Sequence, residues 1–336
     1  MRKNILSVGT RTLTGEKGNI IAAGEVNFME ADVLKLSGAG EIFAENSYIN
    51  LTKMVGEITA KNCSFGTLRL AGEMTAEGRC QADTVIVMGE LTAESLECRV
   101  LRNYSSKNIN LFKNKLTGET MLRYHKYMAF NLEKPADRSL ELKVDFGNTR
   151  EKNYINSKRF SKNEGSVFKG QFKAETFENL CDFCLNFQYQ FTHILSTGML
   201  HHRGIVECED FYSFGPLDIL GVNAEYVYIH PRKNSVLNQV MGSKIQITGK
   251  FFFDETFNEL PKSVGQEVYE SVAGDPAGVM EVELIEGDTV TVDHVNVKKI
   301  SADKINIGEN CVIECAEYKS DIQISPSAFV REVIRL

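Results

Sequence analysis

GEIFAENSYINLTKMV (residues 40–55), GEITAKNCSFGTLRLA (56–71) and GEMTAEGRCQADTVIVM (72–88) are three versions of one phrase. GEVNFMEADVLKLSGA (24–39) precedes them and GELTAESLECRV (89–100) follows. Gly-Glu pairs therefore begin at Gly24, Gly40, Gly56, Gly72 and Gly89, sixteen or seventeen residues apart. Two positions after each glycine stands an apolar residue: Val26, Ile42, Ile58, Met74, Leu91. Four positions after it comes a small slot, filled by Ala44, Ala60, Ala76 and Ala93, with Phe28 in the first copy. A fixed period of this kind marks a repeat architecture. It is too short for paired helices and carries no helical apolar stripe. Alternation such as Leu68, Leu70 and Val85, Val87 reads as short strands instead. The expected fold is all-β, a parallel β-solenoid with one coil per repeat. Coils stack ~4.8 Å apart, so five of them make a rod on the order of 24 Å long.

The rule returns later in the chain. At Gly170, GQFKAE repeats the order glycine, apolar residue, Ala-Glu, and at Gly204, GIVECE repeats it with Cys208 in the alanine slot. Phe187 lies midway and opens FQYQFT, a degenerate copy, and Ala224-Glu225 follows Cys208-Glu209 by sixteen residues. Helical spacing of Phe177, Leu180, Cys184, Phe187, Phe191 and Ile194 offers a rival helix over 174–195. The alternation Phe187, Tyr189, Phe191 and the matching flanks favour strands. Residues 216–250 continue the coil, 251–280 read as a loop, and the stretch from Ile285 returns to short alternating strands. Between the two halves the period breaks. Residues 104–165 read as an irregular connector with possible hairpins and one strand at Leu140, Leu142, Val144 and Phe146. The expected organisation is an N-terminal β-solenoid over 1–103, the connector 104–165, and a C-terminal β-solenoid over 166–336: two coils rather than one.

Composition narrows the function. The chain of 336 residues carries a formal net charge of −7, which argues against a nucleic-acid binder with a basic face. No long uncharged apolar run predicts a membrane-crossing helix. The N-terminal patch Ile5, Leu6, Val8 is too short for a signal-peptide core. Beside Arg2 and Lys3 it offers at most marginal contact with a membrane surface. The expected location is cytoplasmic. Eight cysteines in such a chain read as buried thiols rather than disulfides, and Cys63 and Cys80, in neighbouring repeats at similar offsets, should stack inside the core.

Few residues point to chemistry. Glu25, Glu41, Glu57, Glu73 and Glu90 share one offset, and Glu45, Glu77 and Glu94 share another that Lys61 interrupts. Like charges one coil apart repel by ~1 kcal/mol or less at a wet surface, so these ladders should face solvent. Cys181 and Cys184 have the spacing of half a zinc site. The other candidates, Cys208, His201, His202, Cys311 and Cys315, lack the paired spacing of a second half. His201 and His202, beside Arg203, have no nucleophile motif near them and read as a surface loop. There is no P-loop, GxGxxG or HExxH. No catalytic, cofactor-binding or metal residue is assigned, and no cofactor is expected.

The Gly-apolar-Ala-Glu repeats at Gly40, Gly56, Gly72 and Gly89 resemble those of the bactofilins. GDTVTVDHVNVKKISADKINIGENCVIECAEY in the C-terminal part resembles closing repeats of bactofilin-like proteins of Gram-positive bacteria. The resemblance covers about two thirds of the chain. It implies a right-handed parallel β-helix and a non-enzymatic, polymer-forming cytoskeletal role, with self-association or a partner protein engaged through the coil ends. The alternative is a partner- or glycan-binding module that uses the connector and the aromatic face over 168–230. A β-helix polysaccharide lyase or hydrolase would instead need a groove with clustered carboxylates.

Overall fold

A computed structural model describes residues 4–103, 166–233, 235–249 and 278–336. These residues form strands and no helix. The strands are β1 (Ile5–Val8), β2 (Arg11–Glu45), β3 (Tyr48–Lys61), β4 (Ser64–Asn103), β5 (Val167–Asn179), β6 (Phe183–Cys184) and β7 (Gln188–Ser196). They continue as β8 (Leu200–Ser213), β9 (Leu217–Ile229), β10 (Val236–Ile247), β11 (Met280–Val292), β12 (Val295–Ile307), β13 (Val312–Ile324) and β14 (Phe329–Arg335). All belong to one sheet whose neighbours follow chain order, except that β6 pairs with β8. Every pairing is parallel, as in Gly40↔Gly56↔Gly72 and Ile42↔Ile58↔Met74. The fold is a parallel β-solenoid.

Two corner types wind the coil. The first is the glycine of the repeat. Gly40, Gly56 and Gly72 have φ of 134°, 129° and 142°. A Cβ on Gly56 would stand 2.2 Å from the Gly40 carbonyl oxygen, and one on Gly72 would stand 2.0 Å from that of Gly56. No side chain fits between coils there, and L-residues avoid that φ. The chain therefore bends without leaving the ladder, which is why β2 and β4 run on through their corners. The second corner is left-handed: Asn46, Asn62 and Gly78 have φ of 48°, 51° and 64°, a region that asparagine and glycine tolerate best. The Asn46 N–H donates to the Lys61 carbonyl at 3.0 Å and the Asn62 N–H to that of Glu77 at 3.1 Å. The next residue turns inward and closes the corner. Ser47 Oγ donates to the Glu45 carbonyl at 2.8 Å, and Cys63 Sγ repeats the contact with Lys61 at 3.3 Å.

The apolar slot (Val26, Ile42, Ile58, Met74, Leu91) and the small slot (Phe28, Ala44, Ala60, Ala76, Ala93) are both buried throughout. Cys63 and Cys80 lie in this core, as expected, and burial raises both thiol pKa values. In the middle of the stack the core turns aromatic. Phe177 stacks on Phe191 with centroids 4.8 Å apart, and Phe168 meets Phe183 edge-on at 4.9 Å. Residues 174–195 hold parts of strands β5 and β7, all of β6 and the short turns between them, with no helix, so strand pairing overrides the helical spacing of the same apolar residues.

One expectation needs correction. The halves are not two separate coils. β5 lies directly on β4, from Glu90↔Val167 to Asn103↔Asn179. The open ends of two separate coils would each leave ladder groups and core residues uncovered; here they cover one another. Ser166 Oγ donates to the Val87 carbonyl at 3.0 Å and accepts from the Gly89 N–H at 3.3 Å, which fixes the return. A second return sets β11 on β10, from Val236↔Glu281 to Ile247↔Val292. The connector's hairpins, its strand through Leu140 and Phe146, and most of the 251–280 loop lie outside the described residues.

Candidate functional site

The sequence-derived candidates do not converge on one centre. Glu41, Glu57 and Glu73 stack in register and are exposed. Glu25 accepts from Asn27 Nδ2 at 3.2 Å, and Glu90 pairs with Lys169. In the second ladder Lys61 sits between Glu45 and Glu77 and pairs with Glu45 at 3.2 Å. The interruption seen in the sequence relieves the repulsion. Glu94 Oε2 accepts the Gly78 N–H at 2.7 Å, which makes it a cap on the left-handed corner.

Cys184 is exposed, whereas the Cys181 thiol is pushed up to about 12 by burial. Among the described residues no three His, Cys, Asp or Glu side chains converge to hold a metal. The surface-loop reading of His201 and His202 is corrected: both lie within β8. His201 Nδ1 stands 2.9 Å from Asp218 Oδ2. His202 Nδ1 donates to the Leu185 carbonyl at 2.6 Å, and its ring meets Tyr189 edge-on at 5.9 Å. Gly204 is corrected too. Sequence phase puts it in the glycine column, but it lies in a register shift between His202 and Ile205, and its φ is not positive. The alanine slot survives, since Cys208 pairs with Ala224.

Two surfaces have the form of functional sites. The first is a trough of about 1010 Å³ that crosses six coils. Phe65, Ala82, Cys98, Ala174, Phe191 and Cys208 line its floor. One bank carries Ser64, Gln81, Glu97, Lys173, Gln190 and Glu207, and the other carries Arg99, Glu175, Thr192 and Glu209. The floor is low because its residues point inward and most are small. The banks are the outward neighbours at plus and minus one, as strand alternation dictates. Both cations are engaged: Lys173 Nζ lies 3.0 Å from Glu97, and Arg99 Nε lies 2.8 Å from Asp83. The hydrogen bond from Lys173 holds the Glu97 carboxyl below its usual range. No cation stands against Glu207 or Glu209 among the described residues.

Within the trough the ladder opens. β7 pairs with β5 from Gln188 onward, but with β8 only from His193↔Asp210 to Ser196↔Ser213. Tyr189 occupies the opening. It stacks on Phe191 at 5.1 Å, and burial pushes its phenol up to about 12. Local departures of the ladder of this kind concentrate near functional sites. Sequence reasoning missed the trough because it depends on which residues share a face across coils separated by 104–165. The Phe-Gln-Tyr-Gln-Phe run was the available signal.

The second surface is the outer face of the last coil. Val333 follows Ala316 in the core column and Val330 follows Ile313, yet Val333 is 45% exposed. Ile322 and Ile324 extend the columns of Ile305 and Ile307, and β14 ends before it covers them. Phe329 and Leu336, each 62% exposed, flank the same face. At the opposite end Leu13 is buried and Ile5 is partly buried, so the two ends differ.

Among the described residues no helix is long and apolar enough to cross a membrane. No family model matches the chain, and no solved structure matches it. Over 61 residues, 18% of this chain, it is 38% identical to the uncharacterized protein YhbE of Bacillus subtilis (strain 168). The chain spans about a quarter (26%) of the length of that curated relative.

Proposed function

We propose that this chain is a non-enzymatic structural protein of bactofilin type, right-handed in its winding and cytoplasmic, that associates with itself through the face of its last coil. One observation carries the reading: core-column residues Val330, Val333, Ile322 and Ile324 are incompletely covered at that face. A solenoid end also presents N–H and C=O groups that a further strand can pair. A second copy supplies both apolar contact and backbone pairing. The Gly-apolar-Ala-Glu resemblance supports the same conclusion. Because the N-terminal coil covers its core better, the simplest product is a closed two-fold pair. A filament requires the Leu6 and Val8 end to engage as well.

Sedimentation of the full chain across a wide concentration range tests this. Mass action predicts a concentration-dependent shift to dimer or larger species. Val333→Lys should raise the dissociation constant at least about tenfold, because a charge is placed in the buried patch. A strictly monomeric chain at every concentration, or association indifferent to both Val333→Lys and Ile324→Lys, defeats the proposal.

A further inference from the structure

We infer that the trough is a binding site for a neutral, linear oligosaccharide, bound without cleavage. The trough runs across the strands, so its banks repeat at the coil spacing of ~4.8 Å. That is close to the length of one pyranose unit in an extended chain. Four coils offer a polar pair each: Glu97 with Arg99, Lys173 with Glu175, Gln190 with Thr192, and Glu207 with Glu209 beyond the opened ladder. Glu97, Lys173 and Gln190 follow one another in register on one bank. Arg99, Glu175, Thr192 and Glu209 stand on the other. Carboxylates, amides and a hydroxyl are the groups that pair with sugar hydroxyls. Tyr189, only partly buried in the opened ladder, offers an apolar ring surface for a pyranose face.

Other occupants fit worse. An extended peptide binds by adding to a free strand edge, but this trough presents side chains along its length and strand-edge groups only over the short opening between β7 and β8 before His193. A polyanion meets four glutamates, while both cations on the banks are already engaged by Glu97 and Asp83. Glycoside hydrolysis needs a carboxyl kept protonated by its surroundings; Glu175, Glu207 and Glu209 are exposed, and the hydrogen bond from Lys173 holds the half-buried Glu97 below its usual range.

Calorimetric titration of the full chain with cellohexaose and chitohexaose tests the inference. Polygalacturonate and an unstructured peptide of similar length serve as contrast probes. At least one neutral hexamer should bind, at least tenfold tighter than its dimer, because four successive coils carry polar pairs. Gln190→Ala and Glu209→Ala, both at exposed positions, should each weaken binding about fivefold with unchanged thermal stability. Tyr189→Ala should weaken it further. The inference is overturned if neither hexamer binds, if the two surface variants bind as the parent does, if polygalacturonate or the peptide binds more tightly, or if the hexamer is hydrolysed. Val333→Lys should retain full sugar binding, so failure of the self-association proposal leaves this result readable on its own.

Discussion

At the scale of single residues, the glycine of the repeat is a packing requirement before it is a turn signal. Gly56 has a neighbouring carbonyl oxygen where a Cβ would go, 2.2 Å away, and a φ of +129°. Gly15 also has a positive φ, +67°, but nothing lies within 4 Å of its would-be Cβ. The two sites separate strain from collision. Gly15→Ala should cost about 1 kcal/mol, the penalty for an L-residue in that region. Gly56→Ala should cost at least about 2 kcal/mol, since coils must also move apart. Urea unfolding of both variants measures the difference, and equal losses would contradict the collision. The same scale shows what the sequence could reveal. The spacing of Gly24, Gly40, Gly56, Gly72 and Gly89 discloses the coil because each copy from Gly40 onward meets the carbonyl oxygen of the glycine one coil before it. The left-handed corner is less legible. It is built by Glu30, Asn46, Asn62 and Gly78 in turn, three residue types that share a conformation but no one letter.

At the scale of elements, the joint between β4 and β5 carries the most unusual chemistry in the stack. Arg102 and Glu178 form an ion pair in which Glu178 is fully buried. Beside it Asn103 Nδ2 donates to Asn179 Oδ1 at 3.0 Å, and Asn179 Nδ2 donates to Ser196 Oγ at 2.9 Å. These polar groups stack across the joint in register, Arg102↔Glu178 and Asn103↔Asn179. Buried polar pairs of this sort add little net stability, yet breaking one is expensive. They also reject other registers, because a slip of one residue leaves each group without its partner. Register matters most where a chain leaves for many residues and must return to the correct coil. Glu178→Ala should therefore destabilise the solenoid by about 3–5 kcal/mol. Arg102→Met combined with Glu178→Leu should recover most of that loss. Thermal denaturation of the single and paired variants decides; a paired variant no better than the single would refute the account. Nothing in the repeat rule indicates this joint. Arg102 and Glu178 lie far apart in sequence and outside the periodic positions, so two solenoids looked as natural as one.

At the scale of the whole molecule, a solenoid is close to one-dimensional: each coil is stabilised by its own packing and by its two neighbours. Opening free energy should therefore vary along the stack. β3, flanked by β2 and β4 across its full length, has two complete interfaces. β14 has one, and that one covers only Val312↔Phe329 to Tyr318↔Arg335 of β13. Its side chains are mostly exposed. In dilute solution the amides of β14 should exchange hydrogen fastest, those of β13 next, and those of β3 slowest. Raising the protein concentration should then slow exchange in β14 and in the Ile322 to Ile324 segment, while leaving β3 unchanged. That pattern follows only if a second copy seats on the last coil, because a partner on the trough would protect β4, β5 and β7 instead. Val333→Lys should remove the concentration dependence and keep the rank order. Hydrogen exchange followed by mass spectrometry at two concentrations reads both effects. A β14 as protected as β3 in dilute solution would mean that the end is already closed within one chain, and the drive to associate would be lost with it.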